Sequence, residues 1–224
     1  MISSGARRAA WLAAFAAAMG ILEAIVVVYL RELYYPGGFR FPIVRMPDRI
    51  AVFEIFREAA TIVMLLAVAA LARRDRTDGF FVFAWLFGVW DLVYYAGLRL
   101  FLGWPESLGT WDLLFLIPVP WVSPVIYPVM VSLLLLAGFA ANEMAASKGR
   151  SAAPARVGWL VSVAGALGIV ISFCWRYRDV LDGHVPGDFP AALFWTALAI
   201  AASPFVVATC AALRQDPRGA SGKR

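Results

Sequence analysis

The sequence predicts an all-α polytopic integral membrane protein, a bundle of six transmembrane helices, and three observations carry that reading. Hydrophobic residues fill 62% of the 224 positions, against about 45–50% in soluble domains. Six apolar runs reach the 18 or more residues with which a helix, rising about 1.5 Å per residue, crosses a hydrocarbon core. Lysine and arginine gather in alternate connections.

The spans expected are 9–30, 50–71, 79–102, 121–141, 157–175 and 189–213, all within one transmembrane domain covering 1–224. Backbone groups in lipid must be satisfied within their own segment, so runs of this length are helices rather than barrel strands. The first run follows Arg7 and Arg8 and contains AFAAAMG, which mimics a signal-peptide cleavage site. It continues to Leu30, longer than the apolar core of a secretory signal, and is read as an uncleaved span.

The second span contains AVFEIFREAATIVMLL, 51–66, with Glu54, Arg57 and Glu58 inside it. The third carries WDLVYYAGLR, which puts Asp91, Tyr94 and Tyr95 on one helical face. Ahead of the fourth, Trp111 to Val119 is apolar but too short to span, and Pro118, Pro120, Pro124 and Pro128 punctuate the chain from there into the next apolar run. A short interfacial or re-entrant helix leading into a Pro-kinked fourth span is therefore expected, with Thr110 as its cap and Asp112 near its positive end or at the mouth of a site. On the fifth span Gly158, Ser162, Gly165 and Gly168 make a small-residue stripe suited to close helix packing. After the sixth, 214–224 reads as a flexible cytoplasmic tail.

Orientation comes from the basic residues. Arg7, Arg8, Arg73, Arg74, Arg76, Lys148, Arg150, Arg156 and the tail fall on one side of a six-span chain, which puts both termini in the cytoplasm of a bacterial-type inner membrane. The opposite side holds Arg31, Arg40, Arg45, Arg49, Arg99, Arg176 and Arg178, interleaved with acids. The basic balance needs no nucleic acid, because charge in short membrane loops serves topology and contact with anionic lipid. Cys174 and Cys210 fall near opposite ends of adjacent antiparallel spans, too far apart for a disulfide.

The ionisable residues inside the spans are confined to the first three helices. Measured down from the extracytoplasmic ends at the helical rise, Glu54 lies about 6 Å deep, Glu23 about 10 Å, Glu58 about 12 Å and Asp91 about 16 Å. Such residues cost about 2.5–3.5 kcal/mol each at a helix centre, so several on one level point to mutual compensation and use. The expected binding site for an ion or substrate is Glu23, Glu54, Arg57, Glu58, Asp91, Tyr94, Tyr95 and Asp112, opening outward past Tyr29, Arg31 and Glu32. Trp104, Trp111 and Trp121 suit an interfacial belt. In the fifth connection Asp179, Asp182, His184 and Asp188 are candidate ligands for a hard divalent cation.

No G-x-S-x-G elbow, Walker loop, dinucleotide fingerprint or H-E-x-x-H motif occurs, and the residues specify no cofactor. The stretches FREAAT and TWDLLFLIP resemble short pieces of membrane-embedded isoprenoid and carotenoid enzymes such as the lycopene cyclase domain; no residue role is taken from that likeness. The function expected first is binding and translocation of a cation or proton-coupled small solute, because no catalytic motif is present; the alternative is carboxylate acid/base chemistry on a lipid or isoprenoid substrate, and a third is an accessory subunit that pairs with another membrane protein.

Overall fold

A computed structural model describes residues 4–214. Six helical segments are long and apolar enough to cross a membrane. They are α1 (Ser4–Tyr34), α2 (Asp48–Ala72), α3 (Arg76–Leu102), α4 (Ile126–Ala146), α5 (Arg156–Cys174) extended by the short α6 (Tyr177–Leu181), and α7 (Ala191–Arg214). The tail expected over 214–224 lies outside the described residues, except for Arg214 at the end of α7.

The third helix is the hub: α1, α2 and α4 all pack on it, α7 joins α4, and α5 joins α7. Close approach needs glycine at two of these crossings. A Cβ on Gly20 would meet the carbonyl of Trp90 at 2.6 Å, so its absence lets α1 lie against α3. On the small-residue stripe of α5, a Cβ on Gly165 would meet Ala197 O at 2.7 Å and Ala201 N, so α5 and α7 approach backbone to backbone. Leu65, Phe81, Val82, Leu86 and Phe139 fill the half of the bundle where α1 begins.

That end is closed by an ionic knot the sequence did not disclose. Arg8 and Arg74 both pair with Asp78, and both reach Glu143 of α4; Arg8 also donates to the carbonyl of Ala72. Basic residues read only as topology signals thus tie three helices together.

At the other end the structure corrects the expected short helix. Residues Trp111–Phe115 form β1 and Trp121–Pro124 form β2, an antiparallel hairpin with Asp112 opposite Ser123 and Leu113 opposite Val122. The prolines explain the change: Pro118 and Pro120 disfavour the helical conformation in the residues before them and remove two helix donors. The expected Thr110 cap is replaced by a turn, in which Thr110 accepts from Ser107 N through its hydroxyl and from Val125 N through its carbonyl. As a result α4 begins at Ile126 rather than Trp121 and runs to Ala146, taking Glu143 into a helix expected to hold no charge. Of the four prolines only Pro128 is helical, in the first turn, where no intrahelical N–H bond is lost.

The second helix packs chiefly on α3. Its buried residues Glu54, Glu58, Thr61, Leu65 and Ala69 recur every three or four positions and form a single stripe. Phe53, Phe56 and Val63 on its other faces are exposed and apolar, as a lipid-facing surface requires.

Candidate functional site

Between the stripe of α2 and the hub helix α3 lies a cavity of about 470 Å³, walled also by α1, α4, α5 and the hairpin. Glu23, Glu54, Arg57, Glu58, Asp91, Tyr94, Tyr95 and Asp112 all line it. Tyr29 and Glu32 are exposed and take no part in its wall, whereas Arg31 does. The loop after α1, through Tyr35, Phe39, Ile43 and Val44, covers part of the hairpin end, with Val44 N donating to the Tyr35 hydroxyl at 2.8 Å.

Each of the five carboxylates has a partner, and two of them share one. Arg57 pairs with Glu23 across from α1 and with Glu54 on its own helix at 2.7 Å, and Thr61 donates to Glu23 at 3.2 Å. The spacing of three along α2 places Glu54 and Arg57 side by side. Glu58, one turn beyond Glu54, accepts the backbone N–H of Leu116 at 2.9 Å, which fastens the hairpin connection to α2. Asp91 accepts from the hydroxyl of Ser132 on α4 at 2.7 Å.

The fourth partnership joins three separate elements. Arg31, in the last turn of α1, contacts Asp112 of β1 at 3.1 Å, and the Tyr95 hydroxyl donates to the other oxygen of Asp112 at 3.1 Å. The Arg31 guanidinium sits 3.6 Å from the Trp104 ring centre and 4.3 Å from that of Phe39. Trp104 is therefore buried in this cluster. Burial pushes the Asp112 carboxyl up to about 6, with Arg31 pulling in the opposite direction.

Sequence reasoning missed Ser132, and it missed that Arg31 is the partner of Asp112. The available signal was Asp112 itself, a lone acid in an apolar run, facing a basic residue that ends the first span. The aromatic wall was missed as well. Trp90 stacks on Tyr94 and leans toward Phe115, which contacts Trp121, and Trp121 stacks on Phe173 of α5.

The loop acids lie elsewhere. None of Asp179, Asp182, His184 and Asp188 lines the cavity. Asp179 instead accepts from Gly187 N, its carbonyl accepts from His184 N, and the carbonyl of Asp188 accepts from Arg176. Among the described residues no three His, Cys, Asp or Glu side chains are grouped so as to hold a metal ion. Cys174 and Cys210 are both free thiols.

No protein family, no curated protein and no solved structure matches the chain. The site has to be read from its own chemistry.

Proposed function

We propose that the protein is a multi-pass membrane enzyme of a bacterial-type inner membrane, acting on a lipid or isoprenoid substrate that it takes from the bilayer into the acid-lined cavity. One observation carries this reading. The volume of about 470 Å³ falls in the roughly 300–1,000 Å³ range of small-molecule sites, and beside its acids the wall is built of apolar and aromatic side chains such as Phe83, Phe87, Leu114, Val131, Ile169 and Phe173. Such a wall suits an apolar chain taken up from the bilayer.

The chemistry available is proton addition and removal. A carboxylic acid on one wall adds a proton to an alkene carbon, and a carboxylate on the opposite wall removes a proton from a neighbouring carbon of the resulting cation. The double bond shifts or a ring closes, no atom is gained or lost, and the two acids exchange roles until protons re-equilibrate. Asp91 and Glu58 are the groups assigned to these roles, with Arg57 holding Glu23 and Glu54 in place. The ring faces of Trp90, Tyr94 and Trp121 stabilise the intermediate positive charge.

The test is the lipid and isoprenoid profile of cells lacking the protein. A substrate should accumulate and a product disappear, restored by the wild-type chain but not by Asp91→Asn. An unchanged profile across growth conditions rejects the reading.

A second reading, translocation of a cation or proton-coupled solute, is favoured by charge. Five carboxyl groups, Glu23, Glu54, Glu58, Asp91 and Asp112, line the cavity against two guanidinium groups, Arg31 and Arg57. It requires cation or proton flux in proteoliposomes that Glu58→Gln abolishes, and flux undiminished in that variant removes it.

A further inference from the structure

The carboxyl groups on the cavity wall differ in what their partners can do with a proton. A guanidinium and a backbone N–H donate hydrogen bonds and accept none, whereas a serine hydroxyl does both, its hydrogen turning to suit. Arg57 faces Glu23 and Glu54, Arg31 faces Asp112, and Leu116 N lies 2.9 Å from one oxygen of Glu58 and 3.2 Å from the other. Each of these acids therefore meets at least one partner with nothing to offer a carboxyl O–H. Asp91 is different. Among the described residues, the partner the structure gives it is the Ser132 hydroxyl, at 2.7 Å.

Ser132 is fully buried and stands outside the cavity wall, so it meets Asp91 from the α4 side while Asp91 itself lines the cavity. A close helix crossing fixes its place: a Cβ on Gly88, one turn before Asp91 on α3, would meet Ser132 O at 2.9 Å. When Asp91 is ionised, Ser132 donates to it. When Asp91 is protonated, its O–H can donate to Ser132 Oγ, and the serine turns its own hydrogen to a carbonyl one turn back in α4, as helical serines do. The carboxyl thus keeps one position through loss and recovery of its proton. Glu58 has no such freedom, since Leu116 N can only donate to it.

We propose that Asp91 is the acid that opens the reaction and Glu58 the base that closes it, with Ser132 the positioning residue that holds Asp91 in both protonation states. This rests on the reading of Asp91 and Glu58 as an acid/base pair and adds the direction in which the proton moves. The Asp91 O–H bond breaks and its proton joins one alkene carbon through the π electron pair. A C–H bond beside the resulting cation then breaks, its electron pair becomes the new double bond, and that proton goes to Glu58. The proton then returns to Asp91, because Leu116 N offers no acceptor to a Glu58 O–H while Ser132 serves Asp91 either way. The other charged groups of the wall, Glu23 and Arg31 of α1, Glu54 and Arg57 of α2 and Asp112 of β1, are paired among themselves, and α4 and α5 add no charge to it.

The experiment uses the full-length protein in nanodiscs at about pH 7, above the value of about 6 at which Asp112 titrates. Dicyclohexylcarbodiimide, an apolar reagent that adds to protonated carboxyl groups, is applied to the wild-type chain, and the adduct is located by peptide mass spectrometry. Asp91 should carry about fivefold more adduct than Glu58. Infrared spectra should show the carbonyl band of a protonated carboxyl group, which Asp91→Asn abolishes and Glu58→Gln leaves. Ser132→Ala should move that band to higher wavenumber, as loss of a hydrogen bond to the carboxyl requires; a serine that only packs would leave it in place. Adduct favouring Glu58, equal on both or on neither overturns the inference while the acid/base pair stands, and so does a band that is absent or unmoved by Ser132→Ala. The labelling needs no variant, so it decides where the proton resides even if a variant fails to fold. An unchanged lipid profile with the adduct on Asp91 would instead remove the reaction and leave the protonation assignment standing.

Discussion

Arg57 is a single cation between two carboxylates, Glu23 and Glu54, in a part of the bundle shielded from water. Removing one member of a buried ionic group costs about 3–5 kcal/mol, because the charges left behind lose their compensation. Arg57→Met should therefore lower the thermal unfolding midpoint in detergent sharply, and adding Glu23→Gln and Glu54→Gln to it should restore much of the loss. A triple variant no better than the single one would show that Arg57 matters through packing of its stem. Asp112 supports a prediction in pH. Its folded value of about 6 exceeds the ordinary 3.8, so the folded state holds the proton more tightly than the unfolded chain does. Stability from this group is therefore greatest below about pH 4 and declines as pH rises towards 6, by on the order of 1.4 kcal/mol for each unit separating the two values. Asp112→Asn does not titrate, so its midpoint relative to wild type should become more favourable from about pH 4 to 6 and level off above that, and a constant difference would contradict the assignment.

Among the elements, the helices were legible and the hairpin was not. Long apolar runs identify spans to within a few residues, as for α3, expected over 79–102 and found at Arg76–Leu102. A nine-residue apolar stretch has no such signature, and its conformation is decided by Pro118, Pro120 and a backbone bond from Leu116 to Glu58, a residue 58 positions away. The partners of the acids were hidden for the same reason: Ser132 meets Asp91 from α4 and Arg31 meets Asp112 from the end of α1, placements that depend on tertiary packing. What sequence did carry was the periodicity of Glu54 and Glu58 and the grouping of acids on one level, so the eight residues singled out do line one cavity. Small residues in the helices separate into two kinds, which can be told apart by substitution. Gly165→Ala places a methyl against the backbone of α7 and should destabilise by about 1–3 kcal/mol through overpacking. Gly138→Ala on α4 meets nothing within 4 Å and should stabilise by up to about 1 kcal/mol through helix propensity. Thermal midpoints of the two variants should thus move in opposite directions, and a midpoint unchanged or raised by Gly165→Ala would mean that α5 and α7 do not pack through this stripe.

For the molecule as a whole, the two ends of the bundle are built differently, and that difference bears on its orientation. One end is drawn shut by Arg8, Arg74, Asp78 and Glu143; the other is a hairpin and loop arranged over a cavity. Twelve lysines and arginines belong to the shut end by sequence and seven to the hairpin end, with Arg57 between. Pairing of Arg8 and Arg74 with acids does not weaken that bias, because topology responds to the number of basic residues near the spans and little to Asp or Glu. The shut end is therefore expected on the cytoplasmic side, with the cavity towards the extracytoplasmic half. In a chain with Cys174 and Cys210 replaced by alanine, Glu106→Cys at the hairpin end should react with a membrane-impermeant maleimide on intact cells. Ser147→Cys at the shut end should react only after the membrane is permeabilised. The reverse pattern would turn the cavity towards the cytoplasm, so that an apolar substrate would have to enter from the inner leaflet and the outward-facing translocation reading would lose its direction. Labelling of both sites on intact cells would mean that the chain inserts in two orientations, and then the seven arginines at the hairpin end, rather than the knot at the shut end, would be the residues to neutralise in search of the one that blocks a single topology.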